Sequence, residues 1–194
     1  MDKRHDIARE LARAYCTVSP EALTKLGEIL VPLRFSKGEQ VLKEGEVCQY
    51  MYFVEKGFLR QYYFKNDKDL TEHFSFEGNM VICIESFLKQ EPTHLLVEAM
   101  ETTIAYGIPY KEIEELSKTD NEISHLYRKI FETSLILSQI KADNLRFETA
   151  QDRYRLMLEK YPEILRRAPL NQIASFLQMT PETLSRVRAA QNLL

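Results

Sequence analysis

The spacing of apolar residues along this chain changes period more than once, and each change predicts a different kind of element. In residues 2–31, Ile7, Leu11 and Ala14 make one stripe and Leu23, Leu26, Ile29 and Leu30 another, at helical steps. Between them, Ser19-Pro20 offers a hydroxyl at an N-cap and a proline at the first helical position, where its missing N–H costs nothing. The helical pattern ends at Pro32. From Leu33 to about Pro109 it gives way to short alternating or apolar runs at 40–42, 49–54, 58–64, 71–76, 80–84, 95–99 and 103–108. Those are strand lengths, and Lys37-Gly38, Glu44-Gly45, Lys56-Gly57, Asn66-Asp67 and Glu77-Gly78 supply turns between them. Connections this short leave no room for crossover helices, so the pattern predicts an antiparallel jelly-roll β-roll flanked by helices, an α+β chain.

After Pro109 the period becomes helical again. A long helix is expected over 121–147, in which Ile123, Ile130, Leu137 and Asn144 recur every seven residues, with Leu126, Thr133, Ile140 and Phe147 offset by three. This heptad seam, with polar members at Thr133 and Asn144, fits a two-stranded contact between copies whose register the polar positions fix; the same stripe can also pack on the chain's own sheet. A further helix is expected from Thr149 to about Tyr161, carrying Tyr154, Leu156, Met157 and Leu158 and stopping before Pro162.

Residues 170–188 then read as two short helices joined by a tight turn. Ile173, Ala174, Phe176 and Leu177 supply the inner face of the first, and Leu184 and Val187 that of the second. Thr180 at an N-cap and Pro181 behind it mark where the second helix starts. Its outward residues, Pro181, Glu182, Ser185, Arg186 and Arg188, are the polar and cationic set that reaches base edges and phosphates. At the turn stands Gln178, where glycine is the comfortable residue, so a positive φ there carries strain. The bland alternative is a helical hairpin with a solvated face.

Composition narrows this picture. With 44% hydrophobic and 28% charged residues among 194, the chain has the make-up of a globular protein with a real core. No apolar run approaches the ~20 residues of a membrane span, and no signal-peptide core follows Met1, so a cytoplasmic location without membrane contact is expected. Cys16, Cys48 and Cys83 are odd in number and form no Cys-x-x-Cys pair, which argues for free thiols rather than a disulfide framework, an iron-sulfur cluster or a zinc site. His73, His94 and His125 are isolated, and no metal site is expected. The net charge of -3 is unevenly spread: residues 146–194 hold eight Arg or Lys against five Asp or Glu, and residues 1–145 hold 18 against 24. A basic tail on an acidic body is the asymmetry expected when only the tail meets phosphate.

The frame Phe35-Ser36-Lys37-Gly38-Glu39, Lys43-Glu44-Gly45-Glu46 and Tyr52-Phe53-Val54-Glu55-Lys56-Gly57 resembles the glycine-punctuated β-roll of cyclic-nucleotide-binding domains. With the long helix and the segment Thr180-Pro181-Glu182-Thr183-Leu184-Ser185-Arg186, the chain resembles a Crp/Fnr-type transcription regulator from about Leu26 onward. The resemblance implies a sensor domain at 1–115, a dimerisation helix at 116–147 and a helix-turn-helix DNA-binding domain at 148–194. The 161–170 segment is too short for a full hairpin wing, so the winged part is expected to be reduced. Glu182 and Arg186 correspond to the family's base-contacting pair, a carboxylate for the cytosine amino group and a guanidinium for guanine O6 and N7. Thr180, Thr183, Ser185 and Arg188 would then contact phosphates. The implied partners are double-stranded DNA, a second copy of the chain, and RNA polymerase as a candidate.

In cyclic-AMP-binding members a ribose-binding Glu and a phosphate-binding Arg line the effector loop. Here the counterpart is Ile82-Cys83-Ile84-Glu85-Ser86-Phe87 followed by Thr93-His94, so Cys83 stands in for the Glu and Thr93 for the Arg. A hydroxyl is no equivalent of a bidentate guanidinium. The expected effector pocket is therefore Cys83, Ile84, Glu85, Ser86, Thr93 and His94, with no cofactor, no cyclic AMP bound in the usual way, and an unidentified small molecule as the effector if there is one. The other class of function is a small-molecule sensor or protein-interaction module that does not touch DNA. Catalysis is not expected, since Ser86, His94 and Cys83 come with no nucleophile elbow, phosphate loop or metal-spaced cluster.

Overall fold

The computed structural model describes residues 3–191. Two helices, α1 (Arg4–Arg13) and α2 (Pro20–Ile29), lead into strands β1 (Val31–Phe35), β2 (Gln40–Leu42), β3 (Tyr50–Lys56), β4 (Leu59–Lys65), β5 (Lys68–Ser75) and β6 (Met80–Val81). After the short helix α3 (Ile84–Lys89) come β7 (Leu96–Ala99) and β8 (Thr103–Pro109), then α4 (Tyr110–Thr119) and the 27-residue α5 (Asn121–Phe147). The chain continues with α6 (Ala150–Lys160), α7 (Ile164–Arg167), α8 (Leu170–Phe176) and α9 (Pro181–Gln191). The strands make two four-stranded sheets, ordered β1-β8-β3-β6 and β2-β7-β4-β5, with β8 antiparallel to both its neighbours. This is the expected jelly roll.

Two compact units result. The first combines Met1–Gln61 with Phe74–Leu135. Its core gathers Leu11 and Leu26 from the N-terminal helices, Met51, Phe53 and Val54 from β3, Phe87, Val97, Ile108 and Ile113, and Ile123, Leu126 and Ile130 from α5. β3 lies between β8 and β6, so Met51 through Val54 are all buried, and alternation gives way to a continuous apolar run. Ser19 caps α2 by accepting from the Ala22 N–H at 3.2 Å. Asp120 does the same for α5, accepting from the N–H groups of Glu122 (3.0 Å) and Ile123 (3.1 Å) while its other oxygen takes Lys25 at 2.9 Å. Gly57, at φ +110°, turns β3 into β4; a Cβ there would lie 2.6 Å from the Thr103 Cα, which only glycine avoids.

On the sheet of β4, Arg60 is 1% exposed and its guanidinium meets Glu98 of β7 at 2.9 Å.

The second unit joins Tyr62–His73, the tip of the β4–β5 hairpin, to the chain from Ile136 onward. Asn66 and Asp67 both adopt positive φ at the tip, as a two-residue hairpin turn requires. Lys141 of α5 bonds the Glu72 carboxylate and backbone carbonyl, each at 2.6 Å, and lies 5.7 Å from the centre of the Phe176 ring. Ser175 Oγ accepts from the Thr71 N–H at 2.7 Å and donates to the Asp69 carbonyl at 3.3 Å. Tyr154, Met157, Ile164, Ile173, Ala174, Leu177, Leu184 and Val187 are buried within this unit.

Several elements differ from the sequence-based expectation. β1 starts at Val31 and Pro32, where the helical pattern was read to end, and runs on to Phe35, because Pro32 is tolerated on an edge strand. The apolar run 80–84 is only two residues of strand before α3 begins, and α4 fills the stretch ahead of α5. Ile123, Leu126 and Ile130, expected in a seam between copies, are at most 1% exposed because they pack into the core of their own chain. Among the described residues no strand follows β8, and α7 occupies the segment that was too short for a hairpin wing.

Candidate functional site

α8, its turn and α9 form the helix pair expected at 170–188. The Thr180 Oγ accepts from the Thr183 N–H at 3.2 Å, which caps α9 as the Thr-Pro pair implies. Gln178 has φ +50°, the left-handed conformation expected there, and its N–H bonds the Ser175 carbonyl at 3.0 Å. Arg153 holds the turn from α6, its Nε donating to the Leu177 carbonyl at 3.0 Å and its Nη1 to the Glu148 carbonyl at 2.8 Å. Leu184 and Val187 face inward, leaving Thr180, Pro181, Glu182, Ser185 and Arg186 exposed and Thr183 and Arg188 half-buried.

Glu182 and Arg186 stand one turn apart on the open face of α9. The backbone N–H of Glu182, the Thr180 hydroxyl and Arg186 hold the Glu182 carboxyl below its ordinary range, so it is ionised at neutral pH. Arg186 leans on the Thr183 hydroxyl at 3.4 Å. A carboxylate and a guanidinium are thus presented one turn apart on the exposed face of α9.

On α5, Leu137 and Ile140 of the expected seam are 42% and 48% exposed, and Thr133 and Asn144 are half-buried. Ile136 (58%) and Phe147 (77%) extend the same exposed stripe. Ile136 escaped the heptad frame because it sits between two heptad positions.

The second candidate site lies in the first unit. A cavity of about 210 Å³ is lined by Cys83, Glu85, Ser86, Glu91, Pro92, Thr93, His94 and Leu95. Five of the six expected pocket residues are among them; Ile84 is instead a surface residue at 37% exposure. Ser86 is buried and its Oγ accepts from the Cys48 N–H at 2.9 Å and donates to the Glu91 carbonyl. Thr93 Oγ1 accepts from the Leu95 N–H at 3.0 Å, so the hydroxyl standing for the missing guanidinium is used in shaping its own loop. Glu85 is paired with Lys89 at 2.8 Å, which lowers its pKa. No Lys or Arg is among the residues that line the cavity, whereas Glu85 and Glu91 are.

Among the described residues no helix is long and apolar enough to cross a membrane, and no group of three or more His, Cys, Asp or Glu is placed to hold a metal ion.

Residues 32–120 match the family profile of the cyclic nucleotide-binding domain. No curated protein sequence matches the chain. Among solved structures, FixK2 from Bradyrhizobium japonicum is similar with a TM-score of 0.71 and 19% identity over 85% of each chain. A Crp/Fnr-family transcriptional regulator from Eubacterium rectale gives 0.69 and 14% identity, covering 91% of this chain and 84% of its own. The catabolite activator protein of Thermus thermophilus gives 0.59 and 20%, covering 93% and 85%. Identities this low establish a shared fold. With a β-roll that matches the cyclic nucleotide-binding domain profile, a long helix and a C-terminal helix pair, the chain shares the fold of these Crp/Fnr-type regulators.

Proposed function

We propose that the protein is a homodimeric, sequence-specific DNA-binding regulator of Crp/Fnr type whose effector site has departed from cyclic AMP recognition. The observation that carries this reading is α9 itself: a capped helix with Glu182 and Arg186 one turn apart on an open face and Leu184 and Val187 inward. Glu182 and Arg186 read bases, while Thr180, Thr183, Ser185 and Arg188 meet phosphates. The exposed stripe Ile136, Leu137, Ile140 and Phe147, with Thr133 and Asn144, supports dimerisation through α5. Two reading helices related by a two-fold axis imply a palindromic operator with half-sites about one helical turn, or a multiple, apart. The division into a sensor at 1–115, a dimerisation helix at 116–147 and a DNA-binding domain at 148–194 belongs to the same reading, as do a cytoplasmic location and RNA polymerase as a further partner.

The cavity supports the second half of the proposal. A cyclic phosphate seated there would find no guanidinium among the lining residues, which include Glu91 and a Glu85 already paired with Lys89, so its charge would lack a bidentate partner. The effector, if one is used, is an uncharged or cationic small molecule.

The decisive experiment selects operators from a random DNA pool and measures binding by mobility shift. Arg186→Ala is expected to lose roughly 5- to 150-fold in preference for the selected site, the ~1–3 kcal/mol of one bidentate contact. Arg188→Ala is expected to weaken all sequences alike and to lower the salt dependence. Binding that neither substitution alters would favour the other reading, a sensor or interaction module that does not touch DNA. Titration calorimetry with cyclic AMP is expected to show no binding; micromolar affinity would overturn the cavity argument.

A further inference from the structure

α6 and α8 each pack on α9, and Arg153 ties α6 to the turn between α8 and α9, so these helices form one group. Only Glu148 and Thr149 join that group to α5 along the chain. Two residues carry four soft backbone dihedrals, enough for the group to swing against α5. The contact of Arg153 with the Glu148 carbonyl, at 2.8 Å, lies at this pivot and has little leverage over the angle.

Leverage comes from the hairpin of β4 and β5, where two consecutive residues of β5 hold two different helices. Thr71, 4% exposed, gives its N–H to Ser175 Oγ of α8 at 2.7 Å, and Ser175 donates in turn to the Asp69 carbonyl at 3.3 Å. Glu72 takes the Lys141 ammonium of α5 on its carboxylate and on its backbone carbonyl, each at 2.6 Å. Lys141 stands seven residues before Glu148, about 10 Å along the helix axis. Its ammonium also lies 5.7 Å from the centre of the Phe176 ring, which brings α5 and the end of α8 together directly. Lys141 leaves α5 about 100° round from Ile140, so the side gripped by the hairpin is not the exposed stripe of Ile136, Ile140 and Phe147. A pivot with two attachments away from it fixes an angle that a pivot alone leaves open.

We propose that Lys141 and Ser175 are positioning residues for DNA recognition: through the β4–β5 hairpin they set the angle between α5 and α9, and with it the spacing of half-sites that a dimer accepts. The inference rests on the reading of the chain as a dimeric DNA-binding regulator. Neither residue touches DNA. With α5 on the two-fold axis, a swing that carries α9 by about 3.4 Å moves its register by one base pair. A fixed angle makes the second half-site a nearly intramolecular ligand at one spacing only, whereas a loose one spreads that effective concentration over several spacings.

The test measures mobility shifts of the full-length chain on the selected palindrome, on versions with one or two base pairs added or removed at its centre, and on a short duplex bearing one half-site. Two base pairs turn one half-site by roughly 70° around the duplex against the other. The parent is expected to lose roughly tenfold or more in affinity at the altered spacings, the loss of a second linked contact. In Lys141→Met and in Ser175→Ala that penalty should shrink to about threefold or less, and the palindrome should weaken toward the half-site, while half-site affinity stays within about twofold of the parent. Glu72→Gln, which keeps the carbonyl that receives Lys141, should fall between parent and Lys141→Met. Half-site binding reports in each variant that the reading helix is intact. A spacing preference as sharp as the parent's in both Lys141→Met and Ser175→Ala would overturn the proposal, as would equal losses on half-site and palindrome, which mark a merely structural role. A parent that binds no sequence selectively, or binds the half-site as tightly as the palindrome, would overturn the dimeric reading and this proposal with it.

Discussion

Replacing Glu98 tests how much its carboxylate contributes to the stability of the β4 sheet. Arg60 is 1% exposed and its guanidinium stays charged at any accessible pH, so it cannot escape the loss of a partner by neutralising itself. Removing one member of a fully buried ion pair costs about 3–5 kcal/mol where the remaining charge is left uncompensated, and less where that charge keeps other contacts, as Arg60 does. Glu98 keeps 20% of its side chain in contact with water, which puts the pair at the lower end. Glu98→Ala is therefore expected to cost about 2–3 kcal/mol, or roughly 4–12 °C in Tm for a chain of this size. Glu98→Gln, which keeps the shape and an acceptor oxygen, should cost about half as much, near the ~1.5 kcal/mol of a charged hydrogen bond. The double replacement Arg60→Met with Glu98→Leu removes charge and counter-charge together and should recover most of the loss. Urea unfolding with an unchanged m-value and a parallel thermal melt measure all three. If Glu98→Ala stays within about 0.5 kcal/mol of the parent, the range of an ordinary surface change, the reasoning fails.

Two further outcomes follow from the geometry. Asp120→Ala removes the α5 cap and should cost about 1–2 kcal/mol at pH 7. Lys25 and the α5 N–H groups depress the Asp120 pKa, so this contribution is present above the unfolded value of about 3.9 and lost as pH falls through the lower folded value. The gap between parent and variant should shrink in unfolding curves taken below about pH 4, and a gap that stays constant would count against the cap. Gln178→Gly should leave stability unchanged or raise it by up to about 1 kcal/mol, since release of the left-handed strain outweighs the greater freedom of glycine in the unfolded chain. Gln178→Val should destabilise, and a melt showing the reverse order would refute the strain.

Much of this architecture could be read from local chemistry. Ser19-Pro20 and Thr180-Pro181 announce helix starts because a cap and a fixed φ act within one turn, and both helices begin there. The paired strands and their turns show through because glycine and Asn-Asp mark reversals that few other residues adopt, as Gly57 and Asn66-Asp67 do. What escaped depends on partners distant in sequence. Val31–Phe35 contains a proline and becomes a strand only because β8 pairs with it on one side. Ile123, Leu126 and Ile130 share the heptad with Leu137 and Ile140, and the pattern alone does not say where the chain's own core ends. The lining of the cavity by Cys83, Ser86, Thr93 and His94 followed from a resemblance in loop order, whereas Glu91 and the neighbouring Cys48 required the fold. Arg60 was overlooked because an arginine in an alternating strand is ordinarily a solvated one.

The hairpin tip has a consequence for anyone dividing the gene. Thr71 donates to Ser175, and Glu72 receives Lys141, so the unit that holds α8 and α9 includes residues encoded far upstream of them. No single cut in the chain frees that unit with all its contacts. A fragment beginning at 136 would expose the Ser175 hydroxyl and the Lys141 ammonium to water in place of the hairpin. Exchanging C-terminal segments between relatives would likewise need the twelve residues from Tyr62 to His73 to travel with α8 and α9. Recombination therefore meets this protein as an interleaved pair of units rather than as beads on a string.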